Sequence, residues 1–366
     1  MVEETEKRKA DHIRICLEQK AQARKTTAGF EDIQLVHRAL PEVDREKIAL
    51  STSFLGKDLS APLIVGAMTG GTKEATKINA AIAQAVENLH LGMGVGSQRA
   101  AIENKKLEGT YAVARKKAPT AFLVANIGGA QLTHGYGLKE AKEAVEMIDA
   151  DALAIHLNPL QEAVQPEGQT NFEHVLAKIV QIAGGLNVPV IVKETGCGIS
   201  SEDAKMLESA GVKAIDVSGV GGTSFAAVEY CRSKNGKALD QDFWDWGIPT
   251  VVSLIETIQT VKIPVIASGG VRNGLDAAKC LALNASLASL SQPVLEAANK
   301  GAKETQELLS NLINELRNVM FLVGAKNLES LTKVPALVTG KTAEWLSIRG
   351  FDTASYAQRS TSTFEY

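Results

Sequence analysis

The 366-residue chain has only four cysteines, Cys16, Cys197, Cys231 and Cys280, too far apart for any C-x-x-C pair. That spacing excludes a disulfide framework and a zinc ribbon. No apolar run approaches the ~18–20 residues that span a bilayer. The opening Met1-Val2-Glu3-Glu4-Thr5-Glu6-Lys7-Arg8-Lys9 is too polar for a signal peptide. An excess of basic charge is missing too: the formal net charge is −3, so no overall field draws in nucleic acid or an anionic membrane. H-E-x-x-H, a Cys/His cluster and G-x-S-x-G are all absent, which leaves zinc-enzyme and serine-hydrolase readings without residues. These absences predict a soluble, cytoplasmic protein with reduced thiols. At 45% hydrophobic and 22% charged residues, the composition supports a sizeable core.

What is present has a rhythm. Apolar, β-rich segments recur at Pro62–Gly66, His90–Val95, Ala121–Asn126, Ala152–Asn158, Pro189–Lys193, Lys213–Ser218, Pro264–Ser268 and Ser286–Leu290. Helical patterns separate most of them. In Thr72–Leu89, Ala75, Ile78, Ile82, Val86 and Leu89 keep helical spacing. In Ser200–Ala210 a capping sequence opens the helix and Gly211 stops it. Eight strands alternating with helices predict a (β/α)8 TIM barrel. An open dinucleotide-binding sheet would need a Gly-rich fingerprint after the first strand, and Ala67-Met68-Thr69-Gly70-Gly71 lacks that spacing. The expected layout is one domain: an extension over residues 1–60, helical over 7–25 and then irregular, the barrel over 61–300, and a C-terminal part over 301–366. That last part holds a long helix at 302–324 and a polar tail. The long gap after the sixth strand, including Arg232-Ser233-Lys234-Asn235-Gly236, reads as a loop insertion over the barrel mouth.

In such a barrel the chemistry sits at the C-terminal ends of the strands. The fourth strand is the richest. Leu153, Ile155 and Leu157 alternate with Ala154, His156 and Asn158, Pro159 ends the ladder, and Gln161 and Glu162 follow in a predicted loop. Alone, this reads equally well as a capped strand end. Lys193 closes the fifth strand facing inward, where it needs a counter-charge; a Schiff-base nucleophile, a partner for an electron-rich ring and a structural ion pair all remain open. Glu162 is the best metal candidate, since Mg²⁺ takes one or two carboxylates and completes its shell with phosphate and water. Glycine-rich loops after the sixth and seventh strands can bring backbone N–H groups to a phosphate.

Together these motifs resemble the type 2, flavin-dependent isopentenyl-diphosphate isomerases over nearly the whole chain. The matching pieces are Arg8-Lys9 with His12, Met68-Thr69-Gly70-Gly71, Gly96-Ser97-Gln98-Arg99 and His156–Glu162. They continue in Lys193-Glu194, Gly219–Ser224, Trp246–Thr250 and Ser268–Gly274. The resemblance implies an FMN-binding barrel that interconverts isopentenyl and dimethylallyl diphosphate by moving a proton on and off an allylic system, with Mg²⁺ on the diphosphate. NAD(P)H would serve only to reduce the flavin. It implies that Ala67, Met68, Thr69, Ser97 and Asn126 line the flavin, with Lys193 at its electron-rich edge. Ser218, Thr223, Gly270, Arg272, Leu290 and Ser291 would complete the FMN site and its phosphate grip. Arg99, His156 and Asn158 would meet the substrate, Gln161 would lie at the allylic carbons as the catalytic side chain, and Glu162 would bind the metal. Arg8, Lys9 and His12 would close over the diphosphate from a neighbouring subunit of a homo-oligomer, a tetramer or octamer. One departure is visible: the family's usual Leu-Gly-Ala-Asp turn reads Leu283-Asn284-Ala285-Ser286 here, and asparagine is expected to hold the left-handed turn. The rival reading is an FMN oxidoreductase of the 2-hydroxyacid oxidase or dihydroorotate dehydrogenase type, but the oxidase His-Gly-x-Arg motif is absent.

Overall fold

The computed structural model describes residues 2–18, 21–232 and 241–359, with side chains from Lys7 onward. Ser233-Lys234-Asn235-Gly236 of the expected insertion lies outside the described residues. Eight parallel strands close into a barrel: Leu63–Val65, Gly92–Gly94, Phe122–Gly128, Ala152–His156, Val190–Lys193, Ala214–Asp216, Val265–Ala267 and Leu287–Leu290, the last pairing with the first. Each falls at one of the eight segments read from the sequence. Alternation decides the two sides of the wall. Ala152 and Ala154 join Ile64, Phe122, Val124, Ile191, Ala214, Ile266 and Leu287 in the interior cluster, while Leu153 and Ile155 pack outward in the main core. The helix Lys73–Asn88 starts where Thr72 accepts from the Ala75 N–H, and it buries Ala75, Ile78, Ile82 and Val86. Asn284 takes φ 77, so asparagine does hold the left-handed turn where the family usually has glycine.

Outside the barrel the extension does two separate jobs. A hairpin of Thr52–Phe54 and Lys57–Leu59 closes the bottom, pushing Phe54 and Leu59 into the interior cluster with Phe54 edge-on to Phe122. The helix Val2–Leu17 lies instead at the mouth, against the helix Phe225–Arg232 of the insertion. The first helix stops at Leu17 instead of running to residue 25, and Gln22 already forms a bridge with Thr223. Two further expectations need correcting. The C-terminal stretch is folded rather than a polar tail. Its strand Ala336–Val338 pairs antiparallel with Ile33–Leu35, in register Ile33 with Val338. The helix Gly340–Ile348 follows, its Thr342 N–H donating to Asp32. Second, Gln161 and Glu162 are not in a loop. Pro159, unable to extend the strand, opens a short helix, Pro159–Val164, because a missing N–H costs nothing at a first helical position.

Candidate active site

Strand register assembles the site. Gly128 pairs with His156, His156 with Lys193, and Lys193 with Asp216, so one continuous row runs around the upper rim of the barrel. Above it opens a cavity lined by Ala67, Met68, Thr69, Ser97, Arg99, Asn126, His156, Asn158, Gln161, Glu162, Lys193, Ser218, Thr223, Gly270, Arg272 and Ser291. Arg8, Lys9 and His12 line the same cavity from the chain's own N-terminal helix, so bringing them there requires no neighbouring subunit. Leu290 is the exception among the expected residues. It is buried in the outer core, and its carbonyl accepts from the Gly66 N–H at 2.8 Å.

The His156 ring is fixed by Asn126. The Asn126 amide donates Nδ2 to the Val95 carbonyl at 3.1 Å, so its Oδ1, 2.8 Å from His156 Nδ1, is an acceptor and Nδ1 carries the proton. Burial, helped by the positive charge of Lys193, pulls His156 down to about 3. It is therefore a neutral imidazole at physiological pH, and it brings no positive charge to an anionic substrate. Lys193 Nζ donates to the Glu194 carbonyl at 2.5 Å. The Glu194 carboxylate turns away, with one oxygen accepting from the N–H groups of Thr195, Gly196 and Cys197 at 2.5, 2.6 and 2.5 Å. Burial nonetheless outweighs those three donors and lifts Glu194 to about 7.

On the short helix, Gln161 is held from both sides. Its Oε1 accepts from Asn158 Nδ2 at 3.0 Å, and its Nε2 reaches Glu229 Oε1 at 3.4 Å. Glu229 was not legible as a site residue: it sits on the insertion helix, far from any strand end, and nothing in the sequence marks it. It is 1% exposed and accepts from His12 Nε2 at 2.8 Å and Arg232 Nε at 2.7 Å. Burial pushes its carboxyl up, but His12 and Arg232 prevail and hold it below its ordinary value. Glu162 is likewise buried, accepting from Gln165 Nε2 and the Gln169 N–H, each at 2.7 Å. Its other oxygen has only the 3.2 Å contact with Asn158 Nδ2, and Asn158 Oδ1 beside it is buried without a partner. Tyr111 is a second residue the sequence did not reveal. Its hydroxyl donates to the Ser97 carbonyl at 2.7 Å and accepts from Lys9 Nζ at 2.5 Å, and Lys9 also donates to Ser97 O at 2.8 Å.

The glycine-rich loops meet backbone to backbone. A Cβ on Gly222 would stand 2.6 Å from the Gly270 nitrogen, and one on Gly269 only 2.2 Å from the Gly219 oxygen. Arg272 rises beside them, donating to Gln292 Oε1 at 3.0 Å and to Gln22 Oε1. Among the described residues no carboxylate lies within ion-pair distance of this half-buried guanidinium, which feels Glu296 and Asp276 only at longer range.

A family model described as FMN-dependent dehydrogenase matches residues 2–118 and 130–337. A protein of Methanothermobacter thermautotrophicus named isopentenyl-diphosphate delta-isomerase is 50% identical over 353 residues, covering 96% of this chain and 99% of its own. Proteins of the same name from Methanosarcina barkeri and Pyrococcus furiosus are each 49% identical, covering 98% and 93% of this chain and 98% and 89% of their own. Among solved structures, a mandelate oxidase bearing an FMN monooxide adduct matches with TM-score 0.60 at 19% identity, over 86% of this chain and 90% of its own. A lactate oxidase of Pediococcus acidilactici matches with TM-score 0.60 at 22% identity, over 89% and 87%. At those identities the two oxidases speak to the barrel and not to the reaction. Near-half identity along almost the entire length does more: this chain belongs to the isopentenyl-diphosphate delta-isomerase family, built on the barrel of the FMN-dependent dehydrogenases.

Proposed function

We propose that the protein is an isopentenyl-diphosphate delta-isomerase that interconverts isopentenyl and dimethylallyl diphosphate, with reduced FMN and Mg²⁺ in the cavity and the whole chain working as one domain. The observation that carries this reading is the single cavity joining a basic rim, an oriented amide and a backbone cradle. The donor set fits a flavin mononucleotide. Gly222 and Gly269 leave no room for side chains between the two loops, and Arg272 supplies a half-buried cation with no carboxylate of the described residues within ion-pair distance. Thr223, Gly270, Arg272 and Ser291 would hold the phosphate, while Ala67, Met68, Thr69, Ser97, Asn126, Ser218 and Lys193 would border the ring and its chain. The metal fits as well, although no cluster of three or more His, Cys, Asp or Glu exists among the described residues. Glu162 and the unpartnered Asn158 Oδ1 offer two hard oxygens, and Mg²⁺ takes the rest of its shell from diphosphate and water.

Reduced FMN, when bound, supplies a group at N5 able to give and take a proton. The chain supplies everything around it. Arg8, Lys9 and Arg99 neutralise the diphosphate. Gln161 faces the allylic carbons, its orientation fixed by Asn158 and Glu229. His156, neutral and fixed by Asn126, shapes the floor without adding charge. NAD(P)H would reduce the flavin and take no further part. A cytoplasmic location is supported by four cysteines with no disulfide. No helix among the described residues is long and apolar enough to cross a membrane. A homo-oligomer is supported by apolar side chains left exposed on the outer helices, such as Leu176, Val180 and Ile348.

The test is NMR in D₂O without oxygen, with FMN, Mg²⁺ and excess isopentenyl diphosphate, before and after reducing the flavin. Deuterated dimethylallyl diphosphate, formed only after reduction and over many turnovers per flavin, is the expected result. No conversion with reduced FMN bound overturns the reading, and stoichiometric flavin oxidation alongside product would point to an oxidoreductase.

A pH dependence follows from Lys9. Burial, then the neighbouring charges of Arg8 and Arg99, pulls its ammonium down to about 7. A bound diphosphate supplies the opposite charge and raises it again. Between about pH 7 and the higher value in the complex, binding therefore takes up a proton, so affinity weakens as pH rises. Calorimetric titration with inorganic pyrophosphate from about pH 6.5 to about pH 9 reads this slope. Lys9→Arg, which stays charged throughout, should flatten it, whereas equal slopes in the two proteins would exclude Lys9 as the origin.

A further inference from the structure

Asp216 closes the rim row, and no step above uses it. It faces the cavity from the end of the sixth barrel strand, 6% exposed, directly beside Lys193 in the register. A buried carboxylate needs compensation, and two features provide it. Ser268 donates its hydroxyl to Asp216 Oδ1, and the same Ser268 oxygen accepts from the Ser218 N–H at 3.0 Å. Ser218 is held at φ 39, a left-handed conformation uncommon for a residue with a Cβ. The second feature is Lys193, whose positive charge favours the ionised Asp216; burial still outweighs these partners and holds its carboxyl above the ordinary value.

The two charges do not touch. Lys193 Nζ is engaged with the Glu194 carbonyl, and no carboxylate of the described residues lies within ion-pair distance of it. They stand side by side, a pure donor and a pure acceptor, both facing the space that the proposed flavin would occupy. A lone lysine there would strongly favour negative charge on a ring beside it. An adjacent carboxylate opposes that, because at the short distances between neighbouring strands the two fields are comparable in a medium far less polarisable than water. The dehydrogenase-type barrel is thus fitted here with a cation whose field is partly cancelled.

From this geometry we infer that Asp216, anchored by Ser268, is a positioning residue that attenuates Lys193 and so limits how far the site stabilises an anionic flavin. The inference rests on FMN occupying this cavity. For an isomerase the consequence is direct: a flavin that must both give and take a proton works best when neither charge state is strongly trapped.

The test uses the FMN-loaded protein and sulfite, whose sulfur lone pair bonds to the oxidised ring and leaves the ring carrying the electron pair and a negative charge. Asp216→Asn is expected to bind FMN at full stoichiometry and to tighten the sulfite adduct by about tenfold or more, read from bleaching of the flavin absorbance. Its reduction potential should rise as well. Asp216→Glu, which keeps the charge, should return sulfite affinity towards that of the parent protein. If Asp216→Asn does not fold, Asp216→Ser carries the same expectation. Unchanged sulfite affinity in a neutral variant with FMN bound overturns the inference. Failure of the parent protein to bind FMN would instead overturn the cofactor reading, so the two failures are distinct.

Discussion

Gln161→Ala is expected to cut isomerase turnover by about 10²–10⁴-fold while FMN stays bound at parent stoichiometry. The amide is placed by two opposed contacts, accepting from Asn158 and donating to Glu229, so it cannot rotate without breaking one of them. Glu229 in turn is kept ionised by His12 and Arg232, which makes it a firm acceptor. Removing the amide therefore does two things. It empties the position facing the allylic carbons, and it leaves the buried Glu229 with one donor fewer, at a cost of about 1–3 kcal/mol. Gln161 faces the allylic carbons rather than the diphosphate, so the loss should appear in kcat rather than in diphosphate affinity, which belongs to Arg8, Lys9 and Arg99. Steady-state kinetics at saturating Mg²⁺, with flavin absorbance as a check on loading, gives the answer. Near-parent turnover with FMN bound would remove Gln161 from the mechanism.

Gly269→Ala should have the second large effect, on assembly of the site. Gly269 sits at φ 100, and an added Cβ would meet the Gly219 oxygen at 2.2 Å and the Gly219 nitrogen and Thr250 Oγ1 each at 2.6 Å. Two of those three atoms are backbone, so no side chain can swing away to relieve them. Thr250 Oγ1 also donates to the Gly269 carbonyl at 2.7 Å, tying the loop to the start of the preceding helix, Thr250–Thr260. Strain and overpacking each contribute roughly 1–3 kcal/mol, and both act on the phosphate cradle. Loss of FMN on gel filtration together with a lowered melting temperature is the expected result. Parent-like melting and flavin content would show that the two loops can separate without harm, and would count against them as the phosphate grip.

The barrel was legible because its strands alternate with helices in segments short enough to count, and because Pro159, Thr72 and Gly211 mark element ends by backbone chemistry that does not depend on neighbours. The His156–Glu162 stretch was legible for the same reason. What escaped was set by tertiary contact. Glu229 is an ordinary helix acid until the insertion folds over the mouth and faces it towards Gln161. Tyr111 belongs to an outer helix and reaches the site only through its hydroxyl. Leu290, which the resemblance placed at the FMN site, turns its side chain into the outer core, because one residue of shift in a strand reverses the side it faces. The C-terminal strand was missed because a three-residue segment has too little pattern to see, and its partner lies at the opposite end of the chain.

That last pairing bears on how the protein is made. Ile33–Leu35 waits for Ala336–Val338, which leaves the ribosome some three hundred residues later, and Asp32 waits equally for the Thr342 N–H. Contacts so remote in sequence form slowly. Throughout synthesis, then, Asp32 and the strand Ile33–Leu35 stay without their partners, although the helix Val2–Leu17 can pack on Phe225–Arg232 as soon as the insertion has emerged. The belt fastens only after translation is nearly complete, so a chain terminated before Ala336 can build the whole barrel wall and still leave Ile33–Leu35 as an unpaired edge.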